Sequence, residues 1–166
     1  MDIRIAGTVN DSIVDGPGFR YTVFTQGCPH DCPGCHNPQT HDFAGGHMAD
    51  TEALLAQMAD NPLLDGLTLS GGEPFAQIEP CACLARGARA LGLNVWVYSG
   101  YTFEALLKRP EAEELLRACD VLVDGPFLLA QRTLELRFRG SRNQRLIDLP
   151  KSLAAGKAIV REEEGG

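Results

Sequence analysis

Three cysteines fall within eight residues, Cys28, Cys32 and Cys35, in the stretch Cys-Pro-His-Asp-Cys-Pro-Gly-Cys. Closely spaced thiolates suit an iron–sulfur cluster. A four-iron cubane is usually held by four thiolates, so three local ligands leave one iron with an open position. An open coordination position is what separates a reactive metal centre from a closed structural one. Two other readings fit the cysteines alone. One is a zinc site completed by His30, His36 or His41. The other is a set of unrelated thiols with a redox CxxC. Farther along, Ser70-Gly71-Gly72-Glu73-Pro74 ends the apolar run Leu67-Thr68-Leu69. By themselves these residues read as an ordinary Gly-Gly-Glu-Pro loop.

These residues need a frame, and the pattern around them supplies one. Tyr21–Thr25 reads as a strand entering the cysteine loop, and Leu67–Ser70 as a strand entering the Gly-Gly-Glu loop. Asn94–Tyr98 is a third strand, ending at Ser99-Gly100, and Val121–Val123 a fourth, ending at Asp124-Gly125-Pro126-Phe127. Helical patterns cover 51–60 with Thr51 or Asp50 as cap, 77–91, and 102–118 interrupted at Pro110. Arg145–Leu149 and Lys157–Val160 read as final strands. Alternating strands and helices imply an α/β fold with a mainly parallel sheet. A closed eightfold barrel needs about 250 residues, so this chain of 166 residues predicts a partial, open TIM-type barrel. The motifs follow the C-terminal ends of strands, where sites of parallel α/β folds gather.

The CxxxCxxC loop together with the Gly-Gly-Glu loop resembles the radical S-adenosylmethionine (radical SAM) superfamily. The resemblance implies a [4Fe-4S] cluster on Cys28, Cys32 and Cys35. S-adenosyl-L-methionine would then bind the open iron through its amino and carboxylate groups. The expected cofactor-binding residues are Gly34, Cys35, His36, Gly71, Gly72, Glu73 and Ser99. Gly34 stands where many members carry a bulky apolar residue, so adenine packing falls to His36 or Phe75. Ser99 stands near a point where related enzymes carry an acid. It reads either as a contact to the cofactor's carboxylate or ribose, or as a helix cap.

Asp15-Gly16-Pro17-Gly18-Phe19-Arg20 resembles the (D/N)GPG(I/F/T)R stretch of glycyl-radical-enzyme activases. Cys-Pro-Gly-Cys-His-Asn, Trp-Val-Tyr-Ser-Gly-Tyr and the tail Asp-Gly-Pro-Phe…Arg-Gly-Ser-Arg-Asn-Gln-Arg are similar to activases of anaerobic ribonucleoside-triphosphate reductase, across about residues 12–149. Arg142 stands where a small residue is more usual. The resemblance implies an activating enzyme in which an external one-electron reductant, such as a flavodoxin, reduces the cluster. The sulfonium S–C5′ bond then breaks, and the 5′-deoxyadenosyl radical takes hydrogen from a glycine of the reductase. No side chain need act as acid or base, since the cofactors carry the chemistry. Two alternatives stand beside this reading: another short radical SAM enzyme, acting on a different glycyl radical enzyme or a small molecule, and a non-catalytic iron–sulfur or zinc-binding module.

Length and charge narrow the classes. The sequence predicts a single domain over 1–161 and an acidic, disordered tail over 162–166. A net charge of −7 argues against general nucleic-acid binding. Met1-Asp2-Ile3-Arg4 shows no signal pattern, and no run of apolar residues is long enough to span a membrane, so the cytoplasm is expected. Cys81, Cys83 and Cys119 read as buried small hydrophobes, Trp96 as core, and His41 and His47 as solvated. Arg137, Arg139, Arg142 and Arg145 form a basic stretch in an acidic chain. They read as solvated charge, or as a docking surface or anion contact.

Overall fold

A computed structural model describes residues 1–13, 16–29, 42–126 and 143–161. Among the described residues the strands form one open sheet of seven, in the order β3-β1-β2-β4-β5-β6-β7. They are β1 (Asp2–Ser12), β2 (Arg20–Thr25), β3 (His47–Asp50), β4 (Gly66–Gly71), β5 (Asn94–Tyr98), β6 (Val121–Asp124) and β7 (Arg145–Asp148). The helices are α1 (Thr51–Ala59), α2 (Ile78–Ala90), α3 (Phe103–Leu107), α4 (Glu113–Ala118) and α5 (Leu149–Ala155).

The α/β class is as expected, but the sheet is mixed rather than mainly parallel. β2, β4, β5 and β6 are parallel neighbours. β3–β1, β1–β2 and β6–β7 are antiparallel. At one flank the reason is the length of the connection. Only seven residues separate Ser12 from Arg20, and a parallel crossover needs a dozen or more residues. The alternation Asp2-Ile3-Arg4-Ile5, with Ile3 and Ile5 buried, marks β1 by the period of a half-buried strand, yet it is absent from the sequence reading. Lys157–Val160 is not a strand. After α5 ends at Gly156, with φ +72°, the chain meets β7 at a single bridge, Ile147 to Val160. Leu149 likewise starts α5 instead of ending β7, because Asp148 caps the helix by accepting from Lys151 N.

Helix boundaries follow local chemistry. Asp50 caps α1 by accepting from Glu52 N. Pro110 divides the 102–118 segment, opening a 3₁₀ turn, Pro110–Ala112, between α3 and α4.

The two faces of the sheet differ. Leu67, Leu69, Val95, Val97, Leu122 and Ile147 join residues of the helices in the main core. Alternate residues, Trp96, Val121, Val123 and Leu146, form a smaller cluster on the other face. Arg20 belongs to that second face and is 0% exposed. Its guanidinium donates to Thr68 Oγ1 (2.7 Å), Leu67 O (2.8 Å) and Pro17 O (3.1 Å), and lies 5.6 Å from the centre of the Trp96 ring. Trp96 is core, as expected, and carries this cation as well. Arg20 pairs in register with Gly66, and Thr25 with Gly71. The Gly16–Arg20 turn therefore sits about 17 Å along the strands from the cysteine loop, at the opposite rim.

Candidate cofactor site

The C-terminal ends of β2, β4 and β5 meet. Gly72 N donates to Thr25 O and Glu73 N donates to Gly27 O, each at 2.8 Å. Thr25 Oγ1 donates to Ser70 O at 3.0 Å. The Gly-Gly-Glu loop is thus hydrogen-bonded to the residue immediately before Cys28. Gly27 has φ +105°, and a Cβ there would stand 2.5 Å from the Phe43 ring. A left-handed backbone and a close aromatic neighbour together call for glycine at the start of the loop. Cys28 is half-buried.

Glu73 joins the third strand end. It is 0% exposed. Its Oε1 accepts from Ser99 Oγ (3.0 Å) and Gly100 N (2.8 Å), and its Oε2 from Phe75 N (3.1 Å). Ser99 Oγ accepts in turn from Tyr101 N at 3.0 Å. The cap of α3 is Thr102, which accepts from Ala105 N, so Ser99 is not a helix cap. The family resemblance implies one site for Glu73 and Ser99. The structure adds that they touch, and that the carboxylate braces the end of β4 against the end of β5. Glu73→Gln would turn an NH2 toward one of these donors in a dry site. Mispairing of this kind costs about 1–3 kcal/mol. We expect a matching fall in the free energy of urea unfolding, and Glu73→Asp, which is too short to reach all three donors, should fall similarly.

Cys32, Gly34, Cys35 and His36 lie outside the described residues, as do His30, His41, Asp15, Arg137, Arg139, Arg142 and the 162–166 tail. Among the described residues no cluster of three His, Cys, Asp or Glu could hold a metal ion, which leaves Cys28 as the described member of the expected ligand set. His47 is exposed on β3. Phe75 is 2% exposed and part of the main core, so its ring is committed to packing. Cys81 (0% exposed) and Cys119 (1%) are core residues as expected. Burial, and secondarily the Glu73 carboxylate, pushes the Cys81 thiol up. Burial also pushes the Cys119 thiol up. Thiols held protonated are poor nucleophiles and poor metal ligands. Cys83 is half-buried, with Sγ 3.7 Å from Thr51 Oγ1.

Arg145 is neither free nor solvated. Its Nε donates to Asp124 Oδ1 (3.0 Å) and its Nη2 to both oxygens of Glu104 (2.9 and 2.8 Å). Asp124 is 1% exposed and also accepts from Phe103 N at 2.7 Å. This network ties the Asp124-Gly125 strand end to β7. Arg145→Met would strand the Asp124 carboxylate, at about 2–4 kcal/mol. The Arg145 hydrogen bond holds the Glu104 carboxyl below its ordinary range. A depressed folded-state pKa gives stability that is present above the unfolded value and lost as pH falls through the folded one. Arg145→Met should therefore also flatten the acid limb of the stability profile, as followed by urea titrations at successive pH values.

The comparisons with known proteins follow this geometry. The sequence matches the family described as a 4Fe-4S single cluster domain over residues 14–147. It is 37% identical over 140 residues to the anaerobic ribonucleoside-triphosphate reductase-activating protein of Vibrio cholerae, a match covering 80% of this chain and 89% of that one. The chain belongs to the family of anaerobic ribonucleoside-triphosphate reductase-activating proteins. Reductase-activating proteins of Haemophilus influenzae (35% over 142 residues, 80% and 89% covered) and Escherichia coli (34% over 140 residues, 80% and 90%) are similar to it over the same share. Among the described residues no helix is long and apolar enough to cross a membrane.

Two residues at this site escaped the sequence reading. Gln26, 4% exposed, and Gln77 bind backbone at the root of the cysteine loop. The available signal was a lone amide side chain between a β-rich run and the Gly27-Cys28 turn, a weak one because glutamine is common at surfaces.

Proposed function

We propose that the chain is a radical SAM activating enzyme. In this reading it reductively cleaves S-adenosyl-L-methionine at a [4Fe-4S] cluster and generates a glycyl radical on anaerobic ribonucleoside-triphosphate reductase. The observation that carries the reading is the pair of hydrogen bonds from Gly72 and Glu73 to Thr25 and Gly27. They place the Gly-Gly-Glu loop against the root of the cysteine loop, as a cofactor shared by the two would require. A zinc or non-catalytic module gives that contact no use.

The residues present fit the group. Cys28, Cys32 and Cys35 supply soft thiolate ligands for iron, three in number, and Gly27 provides the turn that starts their loop. The cluster, when bound, would supply one electron to the sulfonium of the cofactor. The chain's own work is to hold and orient. The backbone of Gly71 and Gly72 would lie against the methionine end, with carbonyls toward its ammonium. Glu73 would fix that loop through Ser99 and Gly100, and its negative charge favours a cation nearby. Gly34 would allow close approach, and His36 would pack near the adenine. The open sheet is read as a partial TIM-type barrel whose C-terminal rim admits a glycine-bearing loop of the reductase. A flavodoxin-like donor and a cytoplasmic setting complete the proposal.

The test is anaerobic mixing of iron-loaded chain, reductant, cofactor and reductase. The expected result is a glycyl-radical spin signal that accompanies release of 5′-deoxyadenosine. Deoxyadenosine release with no radical on this reductase would favour an activase of a different enzyme or a small-molecule substrate. Absence of cleavage by the reduced, iron-loaded protein would leave the non-catalytic module.

A further inference from the structure

The cysteine loop leaves β2 after Thr25 and returns to β3 at His47, and Gln26 on the outgoing limb holds the returning one. Gln26 N donates to Arg4 O at 3.1 Å, which continues the β1–β2 ladder past its end. Gln26 O accepts from Gln77 Nε2 at 3.3 Å. The side chain reaches the other way: Gln26 Nε2 donates to Asp42 O at 2.7 Å. The returning limb is packed onto this side chain. A Cβ at Gly45 would stand 2.6 Å from Gln26 Nε2, and one at Gly46 would stand 2.9 Å from both Gln26 Cβ and Cγ. Arg4 Nη1 holds the same limb by donating to Gly45 O at 3.0 Å.

From this clamp we infer that Gln26 is a positioning residue for the metal centre: its amide closes the cysteine loop at its base, and so sets how firmly the chain retains iron. The inference rests on the cluster reading above. Three ligands on one loop hold a cluster only as well as the loop's ends are held. Free ends let a ligand swing away and widen the range of conformations from which it must return. The Gln26–Asp42 bond joins residues sixteen apart in sequence at a partly buried point, beside the turn in which Gly45 N donates to the same Asp42 O at 3.1 Å, so its loss frees the returning limb from the outgoing one.

The experiment compares full-length, anaerobically iron-loaded wild type with Gln26→Met, which keeps the length and apolar stem but removes the donor. The readout is the rate of iron release to excess ferrous chelator. The control is Gln57→Met. It removes a hydrogen bond of similar kind, Tyr21 Oη to Gln57 Oε1 at 2.6 Å, away from the loop. Both variants should lower the melting temperature of the metal-free chain by a similar few degrees. Gln26→Met should release iron about fivefold to tenfold faster than wild type, the change expected for one partly buried hydrogen bond. Gln57→Met should stay within about twofold. Arg4→Met, which removes the neighbouring tether, should move in the same direction and stands in if Gln26→Met does not accumulate. Equal release from Gln26→Met and wild type overturns the inference, and so does equally fast release from Gln57→Met, which would make the effect one of general stability. A wild type that takes up no iron removes the cluster reading, and this inference with it.

Discussion

Alanine at any one of Cys28, Cys32 or Cys35 is expected to abolish iron retention and cofactor cleavage, while alanine at Cys81, Cys83 or Cys119 is expected to leave both near wild type. A cubane with one iron already open has no spare thiolate, so losing a second ligand exposes two irons to solvent and to loss. The reconstituted wild type should be brown and carry about four irons per chain. Cys81 and Cys119 differ in kind. Each is buried among apolar side chains, and burial keeps each thiol protonated. Their replacement removes one sulfur's worth of packing, about 1–2 kcal/mol, which should appear in urea unfolding and not in iron content. The measurements are iron per chain and 5′-deoxyadenosine per reduced protein. Full cleavage by Cys32→Ala would sink the ligand assignment, and loss of iron from Cys119→Ala at normal stability would extend it.

The second large effect is expected at Gly71, and it concerns whether the site can form at all. Gly71 has φ +93°, and a Cβ there would stand 2.5 Å from Thr25 N and 2.7 Å from Phe24 C and Cα. These are backbone atoms of the neighbouring strand, paired in register with Gly71, and they cannot turn aside as the end of a side chain can. Gly71→Ala therefore combines left-handed strain of about 1–2 kcal/mol with separation of β2 from β4 at the rim. A total above about 3 kcal/mol is expected, a large share of a typical domain's 5–15 kcal/mol. Gly92→Ala is the matched control. Its φ is +84°, and nothing lies within 4 Å of the added carbon, so only the left-handed strain of about 1–2 kcal/mol should be lost. The midpoints and slopes of urea unfolding decide the matter. Equal losses at the two positions would show that the rim has room to give. Near-normal stability with lost cofactor cleavage would move Gly71 from the framework to the cofactor contact.

Several elements follow from local rules. Asn94–Tyr98, Leu67–Ser70 and Tyr21–Thr25 lie within strands because β-rich runs between glycines and turns have few other options. Pro110 breaks the 102–118 helix because it lacks an N–H. Cys28, Cys32 and Cys35, and Gly71, Gly72 and Glu73, are the residues on which the proposed chemistry rests, by type and spacing. That chemistry depends on donor atoms and close backbone approach, which residue identity specifies. The burial of Cys81, Cys119 and Trp96 was equally legible, since Cys81 and Trp96 sit in apolar runs and a free cysteine is among the most buried residue types.

Tertiary structure alone decided the rest, because those outcomes depend on pairs distant in sequence. The antiparallel flanks of the sheet, β1 and β3 on one side and β7 on the other, are set by which strands pair at the sheet's edges. Arg145 reads as a surface cation by type, but Asp124 and Glu104, 21 and 41 residues away, hold it in a network. Arg20 reads as part of a turn motif and becomes the buried cation of the sheet's second face. Glu73 was expected in the site, yet its junction with Ser99 and Gly100 exists only once β4 lies beside β5. Gln26 carries only a weak signal of its own. Its position between Arg4, Gln77 and Asp42 is fixed by strand pairing and by the return of the loop. Local sequence determines what a residue can donate, accept or exclude, and the packing of distant segments determines which partner it meets.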